Sequence, residues 1–438
     1  MTSGEPAPDA PAAPVRNLLR FVNLRRLWIA DALSQIGTRI SALAVPLLAV
    51  GTLHASTMEV ALVRTFQTLP YLLIGLQVGA WCDRIRNRPV LITADLVRAA
   101  ALATIPISAA FGVLSLVQVY VAVFVTGVLT VFFDVAHQSY LPRLVDREAL
   151  IEGNAKLKFN TSAAALAAPT VAGYLVQGVT AAGTVLVDAL SYLWSAAWLF
   201  RIRAPEPAPG RPIAGSTLRR DIHAGLILVF GSPALRAISL NNATSALFQS
   251  AQTAVIVVFL VRTVHLEAGT IGLLSTLGLA GAVVGSLVSR RLAARVGGGR
   301  LLWTASIANG ATFLLYPLTG PGAGLAWYVA AAFLTSLSTV VTIVVQVSYQ
   351  QALCPRHLLG RMNATMNFLY FGAAPIGGLL GGALASAIGL RGTLWVVAAG
   401  MLAAAGWLVF SPIRRTTELP AHLAPAPAAG EENSDPGR

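Results

Sequence analysis

Residues 144–157 (LVDREALIEGNAKL) and residues 353–366 (LCPRHLLGRMNATM) are two copies of one segment. Aligned without a gap, Leu144, Arg147, Leu150, Asn154 and Ala155 meet Leu353, Arg356, Leu359, Asn363 and Ala364. The offset of 209 residues is close to half of the 438-residue chain. Upstream at the same offset, Thr126, Thr130, His137 and Tyr140 meet Thr335, Thr339, Gln346 and Tyr349. Near the N-terminus, at an offset of 210, Asp31 corresponds to Asn241 and Arg39 to Gln249. This period is too long for a solenoid unit and marks a duplicated half. In a very apolar chain, a duplicated half points to a transporter architecture.

The chain is apolar enough for that reading. Its mean hydropathy is +0.69 and 11% of its residues are charged, where a soluble domain carries about 25%. A spanning helix needs about 20 mainly apolar residues. Twelve segments qualify, near 27–50, 58–80, 90–112, 115–137, 159–180, 183–202, 235–261, 268–289, 301–319, 325–347, 364–388 and 392–412. The expected fold class is an all-α membrane protein with two parallel-repeat bundles of six helices. The N-terminal bundle is expected over 27–203 and the C-terminal bundle over 222–412. The Pro-rich stretch from Arg203 to Pro212 reads as the linker, assigned to 204–221. Residues 218–231 read as an amphipathic helix lying in the interface before the second bundle. The Pro/Ala-rich ends, 1–26 and 413–438, read as cytoplasmic tails without a core of their own.

Lys and Arg set the orientation. Of the 31 basic residues, 25 fall in the two ends and in alternate connections, leaving little beyond Arg262 and Arg391 opposite. Both termini are therefore expected in the cytoplasm, in a multi-pass protein of the inner or plasma membrane. The net charge of +13 does not suggest a nucleic-acid partner, because the basic residues form no single patch with interleaved aromatics. Cys82 and Cys354 both fall on the cytoplasmic side, which excludes a disulfide framework. The chain shows no Walker A motif, no metal-spaced His/Cys cluster and no nucleophile elbow. Neither an enzyme nor a cofactor is implied, so an ion gradient or the substrate's own gradient must drive transport.

The second helix ends in Gly79-Ala-Trp-Cys-Asp83-Arg84-Ile-Arg86-Asn-Arg88. This resembles the G-x-L-x-D-R-x-x-R-R loop of the major facilitator superfamily. The degenerate second copy, Gly285-Ser-Leu-Val-Ser289-Arg290-Arg291, keeps the Gly and Arg and replaces the Asp. Other stretches resemble the drug and siderophore exporters of that superfamily, the branch of the enterobactin exporter and the macrolide-efflux proteins. They are Ser34-Gln-Ile-Gly37, Phe133-Asp-Val-Ala136 with Tyr140-Leu-Pro142, and Asp188-Ala-Leu-Ser-Tyr192. Ala168-Pro169-Thr-Val-Ala172-Gly173 and Ala374-Pro375-Ile-Gly377-Gly378 are remnants of the antiporter motif. Thr38 stands where many relatives carry Asp, and the fourth helix lacks the mid-helix Arg of many proton antiporters. The resemblance implies twelve helices, a gate closing on the cytoplasmic side through Gly79, Asp83, Arg84 and Arg88, and a cavity lined by helices one, four, seven and ten.

Ionisable groups inside a bilayer are expensive and are functional candidates by default. Asp31, Gln35 and Arg39 recur every four residues and share one helix face. Asp31 is the leading proton carrier, and Arg39 is its partner or an anion hook for substrate. The bland alternative is a structural pair that locks the first helix to a neighbour. Asp134 and His137, three residues apart, are further proton-coupling candidates, although a histidine at a helix end is more often interfacial. Asp95 and Arg98 are expected to complete a charge network with Asp83. Arg64 is expected to snorkel outward, and Asp188 either couples or packs. Asn241, Asn242, Gln249, Thr339 and Gln346 in the second half, with Gln35 in the first, are the substrate-cavity candidates. Phe132, Phe133, Phe248 and Tyr370 either line a permissive pocket or pack.

These readings converge on a monomeric secondary transporter. It would export small amphipathic molecules (a drug, an antibiotic or a siderophore) by alternating access, exchanging them for protons across the lipid bilayer. The rivals are an importer or uniporter of the same fold and a non-transporting membrane sensor or assembly protein.

Overall fold

The computed structural model describes residues 22–82, 85–144, 150–203, 218–354 and 358–415. The first half holds α1 (Val22–Gly51), α2 (Thr57–Cys82), α3 (Asn87–Ala110), α4 (Leu116–Leu144), α5 (Leu150–Gly178) and α6 (Ala181–Phe200). A short helix, α7 (Leu218–Gly231), precedes the second half. That half holds α8 (Pro233–Arg262), α9 (Ala268–Val296), α10 (Gly298–Thr312), α11 (Leu325–Leu353) and α12 (Leu359–Val409). The 51-residue α12 is two spans joined at Gly389, whose φ of 76° breaks the helical path. A 3-10 turn, Phe313–Leu318, prolongs α10 to a spanning length. Counting the two limbs of α12 separately gives the twelve expected spans. Among the described residues, nine helices are long and apolar enough to cross a membrane by length and composition.

The duplication is visible in backbone detail that the sequence comparison missed. His54 and His265, just past the ends of α1 and α8, both adopt the left-handed region, with φ of 51° and 60°. The same hydrogen bonds close both helices. Thr52 and Leu53 donate to the Leu48 carbonyl, and Thr263 and Val264 donate to the Phe259 carbonyl. Non-glycine residues rarely hold positive φ, so its recurrence at matched turns is structural evidence for two copies of one unit.

Each half packs around small residues, as expected where lipid leaves no hydrophobic drive between helices. Along α9, Gly278 and Gly281 face α11. A Cβ on Gly281 would lie 1.9 Å from the Phe333 carbonyl oxygen. Gly281→Val is therefore expected to cost about 1–3 kcal/mol or more by overpacking. Gly75→Ala, where nothing lies within 4 Å, should be near neutral. Thermal unfolding of the two variants in detergent checks the contrast, and equal melting temperatures would refute the contact.

The basic loops gather at one end, called here the basic end. Arg26 donates to the Arg201 carbonyl there. Arg88 caps the C-terminus of α6 through the Leu199 and Phe200 carbonyls, at 3.1 and 2.6 Å, where a cation complements the helix dipole. The two halves touch at the opposite end. Thr170 reaches Thr276 at 2.7 Å, Gln177 donates to Glu267 at 2.6 Å, and Arg262 donates to the Ala55 carbonyl at 2.5 Å. All hydrogen bonds between the halves among the described residues lie toward that end. The bundle is thus sealed away from the basic end.

Candidate transport site

Two adjoining cavities share residues, one lying between the halves and one within the second half. The larger, of about 450 Å³, is walled by α1, α2, α4 and α6 on one side and by α8 and α12 on the other. The smaller, of about 290 Å³, is formed within the second half by α8, α10, α11 and α12. Gln249 and Tyr370 line both, and the Tyr370 hydroxyl donates to Gln249 Oε1 at 3.3 Å. Asn241, Asn242, Gln249, Thr339 and Gln346, the polar residues expected to face substrate, all line the smaller cavity. Asn309, Asn363 and Asn367 join them. Asn309 holds Thr339 Oγ1 at 2.9 Å. An asparagine inside an apolar span was the signal that would have found it.

The first half supplies the charge. Asp31 is 3% exposed. It accepts from Gln35 Nε2 at 3.0 Å and from Asn160 Nδ2 at 2.9 Å. His137 Nε2 lies 3.9 Å from the same carboxylate, and its ring stacks on Phe133. Asp134 accepts from the Tyr71 hydroxyl at 2.7 Å and is within electrostatic reach of Asp31, His137 and Arg98. Asp31, His137 and Asp134, separate candidates in the sequence, form one cluster. Tyr71 carries that cluster to the other half, because its ring stacks on Phe371 at 4.9 Å.

Several expectations need correction. Arg39 does not pair with Asp31, whose partners are Gln35, Asn160 and His137. Arg39 is exposed and has no ion pair among the described residues. The i, i+4 spacing put the two on one broad face, but eight residues of rise separate them along the axis. Gln35 is engaged with Asp31 and does not line either cavity. Arg64 does not snorkel outward. It lines the larger cavity and donates to Gln67 Oε1 at 3.1 Å. His137 faces Asp31 inside the first half, whereas the interfacial reading had it at a helix end.

Asp95 and Arg98 pair with each other. The Arg98 guanidinium lies between the rings of Phe133 and Tyr192, at 4.3 Å from each centroid. Asp83 and Arg84 lie outside the described residues, and Gly79 falls in α2 at a position whose surroundings are not described. Asp188 is 1% exposed and packs against α1. A Cβ on Gly37 would meet Ser191 Oγ at 2.1 Å and Asp188 Oδ1 at 2.6 Å. Two of the stretches singled out in the sequence therefore meet here. Thr38 bonds the Tyr192 hydroxyl at 3.0 Å. Of the four aromatics considered, Tyr370 lines the cavities, Phe133 packs on Arg98 and His137, Phe132 stacks on Trp81, and Phe248 presses on Gly400.

The antiporter-motif remnants form the seams between the halves. Gly173 lies against the Ala268 carbonyl and Gly272 against the Pro169 carbonyl, where added Cβ atoms would come within 2.4 and 2.2 Å. On the other side, Gly378 lies against Thr65, and Gly382 against Ala61 and Met58. Two glycine-bearing helices, α5 and α12, thus close the bundle at matched positions of the two copies.

Known proteins agree with this architecture. The chain is 26% identical over 388 residues to the multidrug efflux pump Tap of Mycolicibacterium fortuitum, covering 84% of this chain and 90% of Tap. It is 24% identical over 180 residues to macrolide efflux protein A of Streptococcus pyogenes, covering 41% of this chain and 44% of that protein. The fold superposes on the nucleoside transporter NupG (D323A mutant) with a TM-score of 0.75 at 10% identity, covering 88% of this chain and 98% of NupG. The family model described as transmembrane secretion effector matches residues 10–432. The chain is a multi-pass membrane transporter of that family, within the major facilitator superfamily.

Proposed function

We propose that this protein exports small amphipathic molecules across the cell membrane in exchange for protons, by alternating access of one central site. The observation that carries the reading is a cavity between two halves that join at one end, with Tyr71 in its first-half wall hydrogen-bonded to Asp134 of the acid–histidine cluster behind that wall. The excess of basic residues on that side supports a cytoplasmic location for the open end and for both termini. A molecule to be exported enters from that side. The halves, 27–203 and 222–412, rock about the site with 204–221 as their linker. The relatives named for multidrug and macrolide efflux point to drug-like cargo.

Asp31 carries the proton. Its carboxylate is held by Asn160 and Gln35 and faces His137. Protonation would release the hold of this cluster on α4 and α5, and Tyr71 would pass the change to Phe371. Asp31→Asn keeps the shape and one acceptor oxygen for Asn160 or Gln35 but removes the carboxylate. It is expected to abolish efflux driven by a pH gradient in everted vesicles while substrate binding persists. Undiminished gradient-driven transport in this variant would remove Asp31 from the mechanism.

A further inference from the structure

Arg64 differs from the buried acids of the first half, each of which has a local partner. Asp95 takes Arg98, Asp134 takes Tyr71, and Asp31 takes Asn160, Gln35 and His137. Asp188 lines the same cavity as Arg64, but Ser191 holds its carboxylate and Arg98 is its charge partner. Arg64 has no carboxylate partner among the described residues. Of the five N–H donors of a guanidinium, one goes to Gln67 and the Nε donor has no partner. Another cation, Arg39, which has no ion pair among the described residues, lies within electrostatic reach of Arg64.

The neighbouring polar groups are donors too. Gln67 Oε1 is occupied by Arg64 and Gln249 Oε1 by the Tyr370 hydroxyl. Neither amide nitrogen has a hydrogen-bond partner among the described residues. This part of the wall therefore has a surplus of positive charge and of N–H groups. Beside it lie the Tyr71–Phe371 stack and the edge-on Tyr370–Phe371 pair. An unpaired cation lining a cavity inside a bilayer is tolerated while water fills it and is costly once it closes. A bound anion removes that cost.

We propose that Arg64 is the centre of an anion-binding subsite, with the charge of Arg39 adding to its field, and that the exported molecule is an amphipath carrying a carboxylate or similar oxyanion. This rests on the export reading above and names its cargo. The oxyanion accepts from the Arg64 guanidinium and from the Gln67 and Gln249 amides, which line the same cavity. The apolar body lies on the Tyr71, Phe371 and Tyr370 rings. The second cavity, with amides and hydroxyls and no charge, takes the neutral polar end.

Matched pairs of an acid and its ester test this in everted vesicles holding the full chain. Suitable pairs are rhodamine 110 with rhodamine 123, fusidate with its methyl ester, and nalidixate with its ethyl ester. Erythromycin and tetraphenylphosphonium serve as non-anionic cargo. The acid is expected to be transported in preference to its ester. Arg64→Gln should raise KM for the acid by about tenfold or more, the loss of a charge-assisted bond, and leave the ester unchanged. Arg64→Lys should retain most of the preference. Arg39→Gln, at an exposed position that folding does not need, should act in the same direction. Transport confined to esters and cations, or an equal loss of acid and ester in both glutamine variants, overturns the anion subsite and leaves export standing. Transport of none of these compounds overturns the export reading, and the subsite as its cargo site falls with it.

Discussion

Gly173→Leu separates the halves at the end opposite the basic face and stops transport. Gly173 and Gly272 are the points where α5 and α9 approach most closely, with backbone carbonyls of each helix against the α-carbon of the other. A Cβ at Gly173 would already stand 2.4 Å from the Ala268 carbonyl oxygen, and a leucine adds three more carbons. Backbone cannot yield as a side-chain tip does. Overpacking of this kind costs about 1–3 kcal/mol, and about 1.4 kcal/mol shifts a two-state equilibrium tenfold. Only the state with this seam closed bears the cost, so the population moves toward the state in which the seam is open. Spin labels at Val179 and Thr263, in a chain with Cys82 and Cys354 replaced by Ala, report the distance across the seam. The expected result is a longer distance in Gly173→Leu together with loss of vesicle transport. An unchanged distance distribution with normal transport would show that the seam does not gate. Gly178→Ala, where nothing lies within 4 Å, is the control.

Much of this molecule is legible in one dimension because the bilayer forces it. Backbone groups in lipid must be satisfied within a helix, so long apolar runs define the spans. The 209-residue repeat then pairs the halves. Segments 364–388 and 392–412 fall on either side of Gly389, whose positive φ makes the break. The five polar residues assigned to the second-half cavity all reach it, since an amide inside an apolar span has nowhere else useful to point. Partnerships between helices are less legible. Asp31 finds Asn160, 129 residues away, and no spacing rule reaches across that separation. Arg64 was misplaced because hydropathy ranks a residue by depth and is blind to which face of its helix looks on the cavity. Asp83, expected to share a charge network with Asp95 and Arg98 because these lie toward the cytoplasm, is outside the described residues, and what the sequence does not signal is the surroundings of Arg98. The aromatic slot between α4 and α6 that encloses it exists only once those helices pack.

Arg98→Met is expected to destabilise the first half severely, and Asp95→Asn added to it is expected to restore most of the loss. Arg98 is 3% exposed and Asp95 is 0% exposed. The pair is covered by Phe133 from α4 and Tyr192 from α6, and Thr130 Oγ1 stands 3.5 Å from Arg98 Nη1. Removing the cation alone leaves a buried carboxylate uncompensated, which costs about 3–5 kcal/mol. Removing both charges leaves a neutral amide and a flexible apolar chain that fills the same slot between the rings, and such replacements are often neutral or stabilising. The double-mutant cycle, read by thermal unfolding of the purified chain in detergent, isolates the pair. A gating role predicts a different pattern: either single variant would keep its melting temperature and change turnover. Severe loss in Arg98→Met with rescue in the double variant makes the pair a structural lock holding α3 against α4 and α6. Proton coupling then falls to Asp31, Asp134 and His137, which lie beside that lock and are not enclosed by it.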